Sequence, residues 1–523
     1  MSAPVLVVGD PLVVLGDVGV IRDGALVVED GVVTRVGPRA ELEAADGGYA
    51  RVIGSPGHAV VPGFVNAHYH SECNLVQGVY DTIFELANLW VHGLLGEIRE
   101  DDLYDVLMVG LMDTVRGGQT CVVDAYYGRR GLPNFSADVA LQAYWDLGTR
   151  VGFGMSFRDR NRYTHEGDEA FLARLPADVA AEVRASDMGY AWPVDEVDAA
   201  YRRLVADWDG RGGRVRVLAA PDWTPACSDE LYLRCRALAD EFDTGLTTHC
   251  LETRSEMAFN MSHHGTTAVR RLADLGVLGP DVSLAHFVWP TDEDIAIVAD
   301  SGAVVASNPG SNLRLSSGIC RTRDMLDAGV RVAVGTDGIS ATEREDYLAE
   351  LRLSAYLQRV PRALESGRVN GPGYLRSAIE SGAQAARMSD RIGSLEAGRD
   401  ADLVVLRRDR VFWPPNRYDA ADPIDVILDR ADMSDIDLVM VQGRPVLDGG
   451  AITTVDEAAV RARHQEACER RLWQRSPERE RTDVELPALA TPHALDFYRT
   501  WSDLPVRPGY VYNAGPGVAS DVD

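Results

Sequence analysis

The stretch AVVPGFVNAHYH, residues 59–70, is an apolar run that ends in two histidines. A short apolar run of this kind predicts a buried strand, here with Pro62 and Gly63 near its middle. His68 and His70 are two residues apart, so an extended chain directs both imidazoles to the same side. The pair therefore indicates either two metal ligands at the end of a strand or two polar residues that close a turn.

Seven further segments have a similar apolar, β-like character, and amphipathic helical segments lie between several of them. They are TCVVDAYY (120–127), VGFGMSF (151–157), VRVLAAPDW (215–223), GLTTHC (245–250), VSLAHF (282–287), AVVASNP (303–309) and RVAVGTDG (331–338). Eight β–α units over roughly 330 residues predict an α/β fold of the (β/α)₈ TIM-barrel type. A doubly wound open sheet is the alternative, but no GxGxxG follows the first strand to favour a dinucleotide site.

The two ends of the chain read as short strands and turns. GALVVEDGVVTRVG (24–37) and DIDLVMVQGRPVLDGG (435–450) indicate one small β-sandwich domain built from both ends. We predict that residues 1–61 form the first part of the sandwich, 62–392 the metal-dependent barrel, 393–455 the second part of the sandwich, and 456–523 a tail with a helix and a Pro/aromatic-rich stretch. This tail could wrap the core, cover the site or reach a second subunit.

The 523-residue chain has a net charge of −28 and contains no lysine, so arginine supplies all 52 of its Lys/Arg side chains. An acidic surface without a basic block argues against a nucleic-acid partner or an anionic membrane. No apolar run reaches the ~18–20 residues of a membrane helix. Seven cysteines without a CxxC pair, and an N-terminus without a basic segment, predict a protein of the cytoplasm.

Metal-capable residues close four of the predicted barrel strands. The first strand ends in His68 and His70, the fifth in His249, the sixth in His286 and the eighth in Asp337. Active sites of such barrels lie at the carboxyl ends of the strands, so these five side chains should converge. Each alone could be a satisfied core residue or a turn. Together, imidazoles and a carboxylate favour a site for a divalent metal with positions open for water.

Glu252 follows His249 by three residues. It could be only a carboxylate at the start of a helix. Its place just after a ligand strand favours a proton shuttle over the metal. Cys73 and Cys250 also flank the ligands, and we expect both to be packing thiols, because Cys250 directly follows His249 and points the other way.

Six segments together resemble the amidohydrolase superfamily: PGFVNAHYH (62–70), THCLETRSEMAFN (248–260), GVLGPDVSLAHFVWPTDEDI (276–295), SNPGSNLRLSSG (307–318), MLDAGVRVAVGTDG (325–338) and GSLEAGRDADLVVL (393–406). The chain is most similar to the branch of triazine hydrolases, guanine deaminase and S-adenosylhomocysteine deaminases. The resemblance implies a mononuclear site with metal ligands His68, His70, His249 and Asp337, and with Glu252 and His286 as catalytic residues. The missing lysine supports one metal independently, because binuclear branches commonly bridge two metals with a carboxylated lysine. A metal pair bridged by a glutamate is the alternative that this leaves open.

The resemblance implies hydrolytic deamination of a nitrogen heterocycle such as an aminopurine, pterin, pyrimidine or triazine. One divalent metal per subunit, Zn²⁺ with Fe²⁺ as the alternative, would lower the pKa of the attacking water. Asp337 would accept the water proton, Glu252 would protonate the ring nitrogen, and His286 would donate to the attacking oxygen. The same site could instead cleave a C–Cl, C–NHR or cyclic amide C–N bond, and a non-catalytic scaffold is a remote alternative. A small-molecule substrate and a second copy of the chain in a homodimer are the expected partners.

Eight residues with planar or hydrogen-bonding side chains are candidate substrate contacts: Trp90, Tyr126, Arg158, Trp223, His263, Trp289, Asn308 and Asn312. Six of them lie at or just after predicted strands; Trp90 occupies the place where members of the resembled family carry an aromatic lining residue, and His263 lies in the helical insertion after the fifth strand. A planar heterocycle would stack on the aromatic members of this set. Arg158 could bind a substrate carboxylate or phosphate, or could form an ion pair. Asn308 and Asn312 could bond to the ring or shape their loop. Tyr69, between the ligand histidines, should point away from the metal.

Overall fold

The computed structural model describes residues 4–45, 48–78, 82–86, 89, 99–128, 136–186, 188–359, 369–414, 421–473 and 476–501. Its strands are β1 Val5–Gly9, β2 Leu12–Leu15, β3 Gly19–Ile21, β4 Gly24–Glu29, β5 Val32–Pro38, β6 Arg51–Gly54, β7 His58–Pro62, β8 Phe64–Tyr69, β9 Gln119–Tyr126, β10 Arg150–Phe157, β11 Val215–Pro221, β12 Leu246–Cys250, β13 Val282–His286, β14 Val304–Ser307, β15 Arg331–Val334, β16 Leu403–Arg407, β17 Ile436–Val441, β18 Arg444–Asp448 and β19 Ala451–Ile452.

Helices connect most of the barrel strands and make up the described part of the C-terminal tail. Those of four or more residues among the described ranges are Arg39–Ala45, Ser71–Val76, Glu100–Arg116, Ala137–Leu147, Asp168–Leu172, Ala177–Ala185, Val194–Trp208, Asp229–Phe242, Arg254–His264, Ala268–Asp274, Asp292–Ser301, Pro309–Arg314, Thr322–Asp327, Ile339–Thr342, Tyr347–Leu357, Gly371–Ala385, Arg408–Val411, Pro423–Arg430, Glu457–Trp473, Pro477–Glu480, Arg481–Glu485 and Leu486–Arg499. Within these helices no stretch is long and apolar enough to cross a lipid bilayer.

Eight parallel strands, β8 to β15, lie side by side in chain order and form a (β/α)₈ barrel. Main-chain hydrogen bonds close the seam between the last strand and the first. The His70 N–H donates to the Asp337 carbonyl, and the Asp337 N–H donates to the His68 carbonyl, both at 3.0 Å. The predicted TIM barrel is therefore confirmed, and its seam closes at the predicted ligands.

The two ends of the chain meet in a small β-sandwich, as predicted. One sheet has the strand order β5-β4-β1-β6, and the other has the order β19-β18-β17-β16-β7-β2-β3. C-terminal strands thus pair with N-terminal ones, with Leu403 of β16 opposite Pro62 of β7. Side chains of both sheets share one apolar core, which includes Val7, Leu26, Val60, Val405 and Met440. The predicted boundaries after residues 61, 392 and 455 stay a prediction.

The described part of the tail packs against the barrel in two places. The helix Glu457–Trp473 lies against the helix Glu100–Arg116, and Arg463 of the first pairs with Asp105 of the second at 2.6 Å. The helix Leu486–Arg499 packs on apolar side chains from the long connection between β10 and β11. The Pro-rich last part of the tail lies outside the described residues.

Candidate metal centre

Imidazole and carboxylate side chains from four barrel strands meet at the carboxyl-end mouth of the barrel. His68, His70 and His249 form one group, and their ligand atoms lie within 4.8 Å of one another. His68, His286 and Asp337 form a second group with the same spacing, so that His68 belongs to both. All five residues are at most 8% exposed. The structure therefore brings the predicted strand-end residues together in one buried cluster.

The contacts inside the cluster have the spacing of ligands around one ion. Oδ1 of Asp337 lies 3.1 Å from His68 Nε2 and 3.4 Å from His70 Nε2. Nε2 of His70 lies 3.1 Å from Nε2 of His249. Atoms that each bind one ion at about 2.0–2.1 Å are themselves about 3–3.5 Å apart in a tetrahedral site. The three nitrogens and the oxygen therefore fit a single divalent metal.

Main-chain carbonyls orient two of these histidines. Nδ1 of His70 donates to the Ala125 carbonyl at 2.6 Å, and Nδ1 of His249 donates to the Asp222 carbonyl at 2.7 Å. A neutral imidazole carries one proton, so Nε2 of both rings is left with its lone pair. Among the described residues, His68 Nε2 and Asp337 Oδ1 are buried and have no aligned hydrogen-bond partner. These oriented and unpartnered acceptors are what a metal would satisfy.

Three of the imidazoles and the carboxylate of the cluster favour the protonation states that metal binding requires. Burial lowers the pKa of His70 and His286 to about 4, and it lowers the pKa of His68 well below the ordinary value. Burial alone would raise the pKa of Asp337, but the neighbouring imidazoles hold it well below its usual range. At neutral pH these three rings are therefore neutral and the carboxylate is ionised, which are the forms that bind a divalent metal.

Unusual backbone conformations aim two of the side chains. His286 and Asp337 have φ values of 74° and 65°, in the left-handed region that residues other than glycine rarely adopt. Such conformations cost about 1–3 kcal/mol and often occur at functional sites.

Gly335 permits the close approach of the chain after β15 to the first barrel strand, β8, because a Cβ at that position would lie 2.8 Å from the main-chain nitrogen of His68.

Glu252 and His286 lie beside the cluster, with Glu252 Oε2 3.6 Å from His286 Nε2. Burial, together with the charge of Asp337, raises the pKa of Glu252 well above its usual value, which favours the protonated form of this carboxyl. Nδ1 of His286 lies 2.9 Å from Asn312 Oδ1 and 3.2 Å from Asn308 Nδ2. The shorter contact is with an acceptor and makes Nδ1 the donor. Nε2 of His286 can then donate, as predicted, only after it has taken up a proton.

Asp222 supports His249 and was missed by the sequence reasoning. Its carbonyl accepts from His249 Nδ1, and its carboxylate Oδ1 lies 3.4 Å from the same nitrogen. Arg158 donates from Nε to Asp222 Oδ2 at 2.6 Å, and both side chains are buried. Burial alone would lower the pKa of His249, but its bonds to Asp222 raise it above the ordinary value. The sequence feature that could have identified Asp222 is its position at the end of the fourth predicted barrel strand.

The other residues predicted to contact the substrate do not form one group around the metal cluster. Arg158 stands behind the cluster in a buried ion pair. Trp223 follows β11, and Trp289 follows β13 with its indole Nε1 donating to the Ser317 carbonyl at 2.7 Å. His263 is exposed at the end of its helix. Trp90 lies outside the described residues.

Two neighbouring tyrosines at the end of the second barrel strand face opposite ways. Tyr126 is fully buried in the barrel wall, with its ring centroid 5.3 Å from that of Phe153. The ring of Tyr127 stacks on His70 with centroids 4.6 Å apart. Tyr69 points away from the cluster, as expected, and its hydroxyl donates to Asn74 Oδ1 at 2.9 Å.

Comparisons with known proteins place the chain among related sequences and folds. The model of the Amidohydrolase family matches residues 59–446. A 5-methylthioadenosine/S-adenosylhomocysteine deaminase from Syntrophomonas wolfei subsp. wolfei is 29% identical over 434 residues, which cover 81% of this chain and 89% of that protein. A 5'-deoxyadenosine deaminase from Methanopyrus kandleri is 29% identical over 447 residues, covering 84% and 93%. The solved structure of an adenosine deaminase from Xanthomonas campestris with bound zinc is similar with a TM-score of 0.73 at 26% identity, covering 89% of this chain and 98% of that one.

Proposed function

The chain belongs to the amidohydrolase family, and from this premise we propose that it is a metal-dependent hydrolase that removes the amino group of a nitrogen heterocycle. The names of its relatives confirm the predicted class of enzyme, a deaminase that acts on C–N bonds of heterocycles. The observation that carries the proposal is the buried cluster of imidazoles and one carboxylate at the barrel mouth, with the buried Glu252 carboxyl 3.6 Å from His286 beside it.

Four residues would hold the metal: His68, His70, His249 and Asp337. A divalent ion bound there supplies Lewis acidity, which lowers the pKa of a water molecule toward about 7. The donor set suits both Zn²⁺ and Fe²⁺. We propose one Zn²⁺ per subunit, which the zinc in the similar adenosine deaminase structure supports. Elemental analysis of the purified protein tests this, with about one zinc per chain expected.

The chain's own residues then move the protons. Asp337 is ionised and accepts a proton from the attacking water. Glu252 is protonated and gives its proton to the ring nitrogen next to the attacked carbon, so that no negative charge develops on the ring. His286 accepts the second proton of the attacking water at Nε2, and the resulting N–H donates a hydrogen bond to the oxygen on the tetrahedral carbon. The amino group then takes the proton held by Asp337 and leaves as ammonia, and His286 returns its proton to the Glu252 carboxylate.

The variant Glu252→Gln tests the proton-transfer step. The amide keeps the size of the side chain and a hydrogen-bond donor but cannot give up a proton, so kcat should fall by ~10²–10⁴ with the metal content unchanged. Glu345→Gln is the matched control. Glu345 is also buried, and burial raises its pKa to about 8, but it bonds to Thr336 and Gln119 instead of facing the cluster. Near-wild-type turnover of Glu252→Gln would rule out the shuttle.

The reaction itself is tested by a product screen over aminopurines, pterins, pyrimidines and triazines. Release of ammonia supports deamination. Release of chloride or an alkylamine, or a ring-opened product, supports the alternative in which the same site cleaves a C–Cl, C–NHR or cyclic amide bond. A protein that neither binds metal nor turns over any of these compounds would support the scaffold alternative.

We also propose that the chain is a homodimer in the cytoplasm. The resemblance to this branch of the family supports the dimer, and seven cysteines without a CxxC pair support the compartment. Light scattering during size-exclusion chromatography should give the mass of two chains. A monomer across the concentration range would contradict the dimer.

A further inference from the structure

Asn66 lies on β8, two residues before the predicted ligand His68, and it is fully buried at the barrel seam. The pairing of β8 with β9 is irregular between Asn66 and Tyr69, where β8 has one residue more than β9. A bulge of this kind interrupts the main-chain ladder and changes the direction of side chains. Contacts outside this ladder must then help to fix the position of His68.

The Oδ1 atom of Asn66 accepts hydrogen bonds from two main-chain N–H groups at the predicted ligands. One is the N–H of His68 itself at 3.3 Å, and the other is the N–H of Thr336 at 3.1 Å. Thr336 directly precedes Asp337. The two bonds continue the seam, where the Asp337 N–H donates to the His68 carbonyl at 3.0 Å. One oxygen atom thus joins a ligand histidine to the residue before the ligand carboxylate.

The Nδ2 atom anchors the other side of the Asn66 amide. It donates to Gln119 Oε1 at 2.9 Å and to Thr336 Oγ1 at 2.8 Å. The Thr336 hydroxyl gives its own proton to Glu345 Oε2 at 2.7 Å, an acceptor that Glu345→Gln would keep. All four hydrogen-bonding positions of the Asn66 side chain are therefore used, and its two main-chain donors fix which end is the oxygen.

A fully bonded buried amide could serve only the stability of the barrel wall, and the place of its bonds argues for more. His68 Nε2 and Asp337 Oδ1 are 3.1 Å apart, so a small shift of either main chain changes the spacing of these ligand atoms. Asp337 also has a left-handed backbone conformation, with φ 65°. Such a conformation persists only where neighbouring contacts hold it. Asn66 supplies contacts of this kind on both sides of the ligand spacing.

We propose that Asn66 is a positioning residue of the metal centre. By accepting from both main-chain N–H groups, it sets the spacing of His68 and Asp337 and thereby the affinity and the coordination geometry of the metal. The inference rests on the proposed function, because it takes these two residues as ligands. Groups that orient metal ligands typically change metal affinity by about 10–100-fold when they are removed.

Zinc affinity of the full-length protein, measured by competition with a chromophoric chelator, tests the proposal together with the absorption spectrum of the Co²⁺-loaded protein. Asn66→Ala removes both acceptor bonds. Zinc should then bind about 10–100-fold more weakly, and the Co²⁺ bands should shift because the coordination geometry changes. Asn66→Asp keeps an oxygen for both main-chain N–H groups, so its zinc affinity and Co²⁺ spectrum should stay close to those of wild type.

Tyr347→Phe is the matched control. Tyr347 is also fully buried, and its hydroxyl donates to the carbonyl of Val65, the residue before Asn66, at 2.9 Å. Asn66→Ala and Tyr347→Phe should both lower the stability of the metal-free protein to urea, because each removes a buried hydrogen bond to β8. Only Asn66→Ala should change the zinc affinity and the Co²⁺ spectrum.

Wild-type zinc affinity in Asn66→Ala, or a loss no larger than in Tyr347→Phe, would overturn the proposal. So would an Asn66→Asp protein that binds zinc as weakly as Asn66→Ala. If Asn66→Ala does not fold, Asn66→Ser decides the test: its oxygen is one bond closer to the main chain and should accept only the His68 N–H, so zinc should bind about tenfold more weakly, and unchanged affinity would overturn the proposal.

The same measurements separate this inference from the proposed function. Ammonia release by wild-type protein, with unchanged zinc affinity in Asn66→Ala, would contradict the positioning role and leave deamination standing. Wild-type protein that binds neither Zn²⁺ nor Co²⁺ would contradict the metal centre and the positioning role together. Loss of zinc affinity in Asn66→Ala, with no ammonia released by wild type from any compound of the product screen, would support the positioning role and contradict deamination.

Discussion

Arg158→Met removes the positive charge that faces Asp222 behind His249, and we expect it to weaken both folding and metal binding. Arg158 is 1% exposed and Asp222 is 2% exposed, and Nε donates to Oδ2 at 2.6 Å. Methionine fills a similar apolar volume, so the variant removes mainly the guanidinium group. Loss of one partner of a buried ion pair costs about 3–5 kcal/mol, because the other charge is left without compensation.

The pKa of Asp222 gives a second measure of the same interaction. Burial alone would raise this pKa, but the charge of Arg158 and the bonds from His249 hold it at about 2, below the ordinary value of 3.8. At about 1.4 kcal/mol per pKa unit this corresponds to about 2–3 kcal/mol. Because the pKa is lower in the folded state, this stabilisation is present above a pH of about 4 and is lost as the pH falls through about 2. The difference between wild type and variant should shrink over the same interval.

Urea unfolding of the metal-free protein measures this effect. At pH 7 the free energy of unfolding of Arg158→Met should fall by about 3 kcal/mol, and zinc affinity should fall by about 10–100-fold as His249 loses its support. Arg162→Met is the matched control, since its ion pair with Asp168 is 29% and 21% exposed and should contribute about 1 kcal/mol or less. Equal, small losses in both variants with unchanged zinc affinity would refute the reasoning. Adding Asp222→Asn to Arg158→Met should recover most of the stability.

Two further variants probe the first and last barrel strands. Asp337→Ala removes the carboxylate of the cluster and should abolish zinc binding and activity together; a fully metallated, fully active variant would contradict the ligand assignment. Tyr69→Phe removes only the hydroxyl that donates to Asn74 in the barrel wall, so it should cost about 1 kcal/mol in thermal or urea unfolding and leave kcat unchanged. A large loss of activity in Tyr69→Phe would mean that this hydroxyl acts on the site.

The sequence by itself determined the barrel and the set of residues at its mouth. Apolar runs separated by amphipathic segments are local patterns, and each run found in the sequence contains a barrel strand. The prediction of one strand over residues 59–70 was wrong, because the chain divides at Gly63 into β7 of the sandwich and β8 of the barrel. Parallel strands of one barrel all end at the same mouth, so strand-end residues such as His68, His249 and Asp337 meet without any knowledge of loop packing. The family resemblance added the division of these residues into ligands and catalytic groups.

Only the tertiary structure decided what surrounds the cluster. Arg158 and Asp222 are 64 residues apart, and His165 and Tyr498 are 333 apart, so their contacts depend on how connections and tail pack over the barrel. The directions in which Tyr126 and Tyr127 point depend on the register of their strand, β9. The pairing of β9 with β8 is irregular between Asn66 and Tyr69. Short-range periodicity carries no information on long-range packing of this kind. For that reason the contact between His165 and Tyr498 is found only in the folded chain.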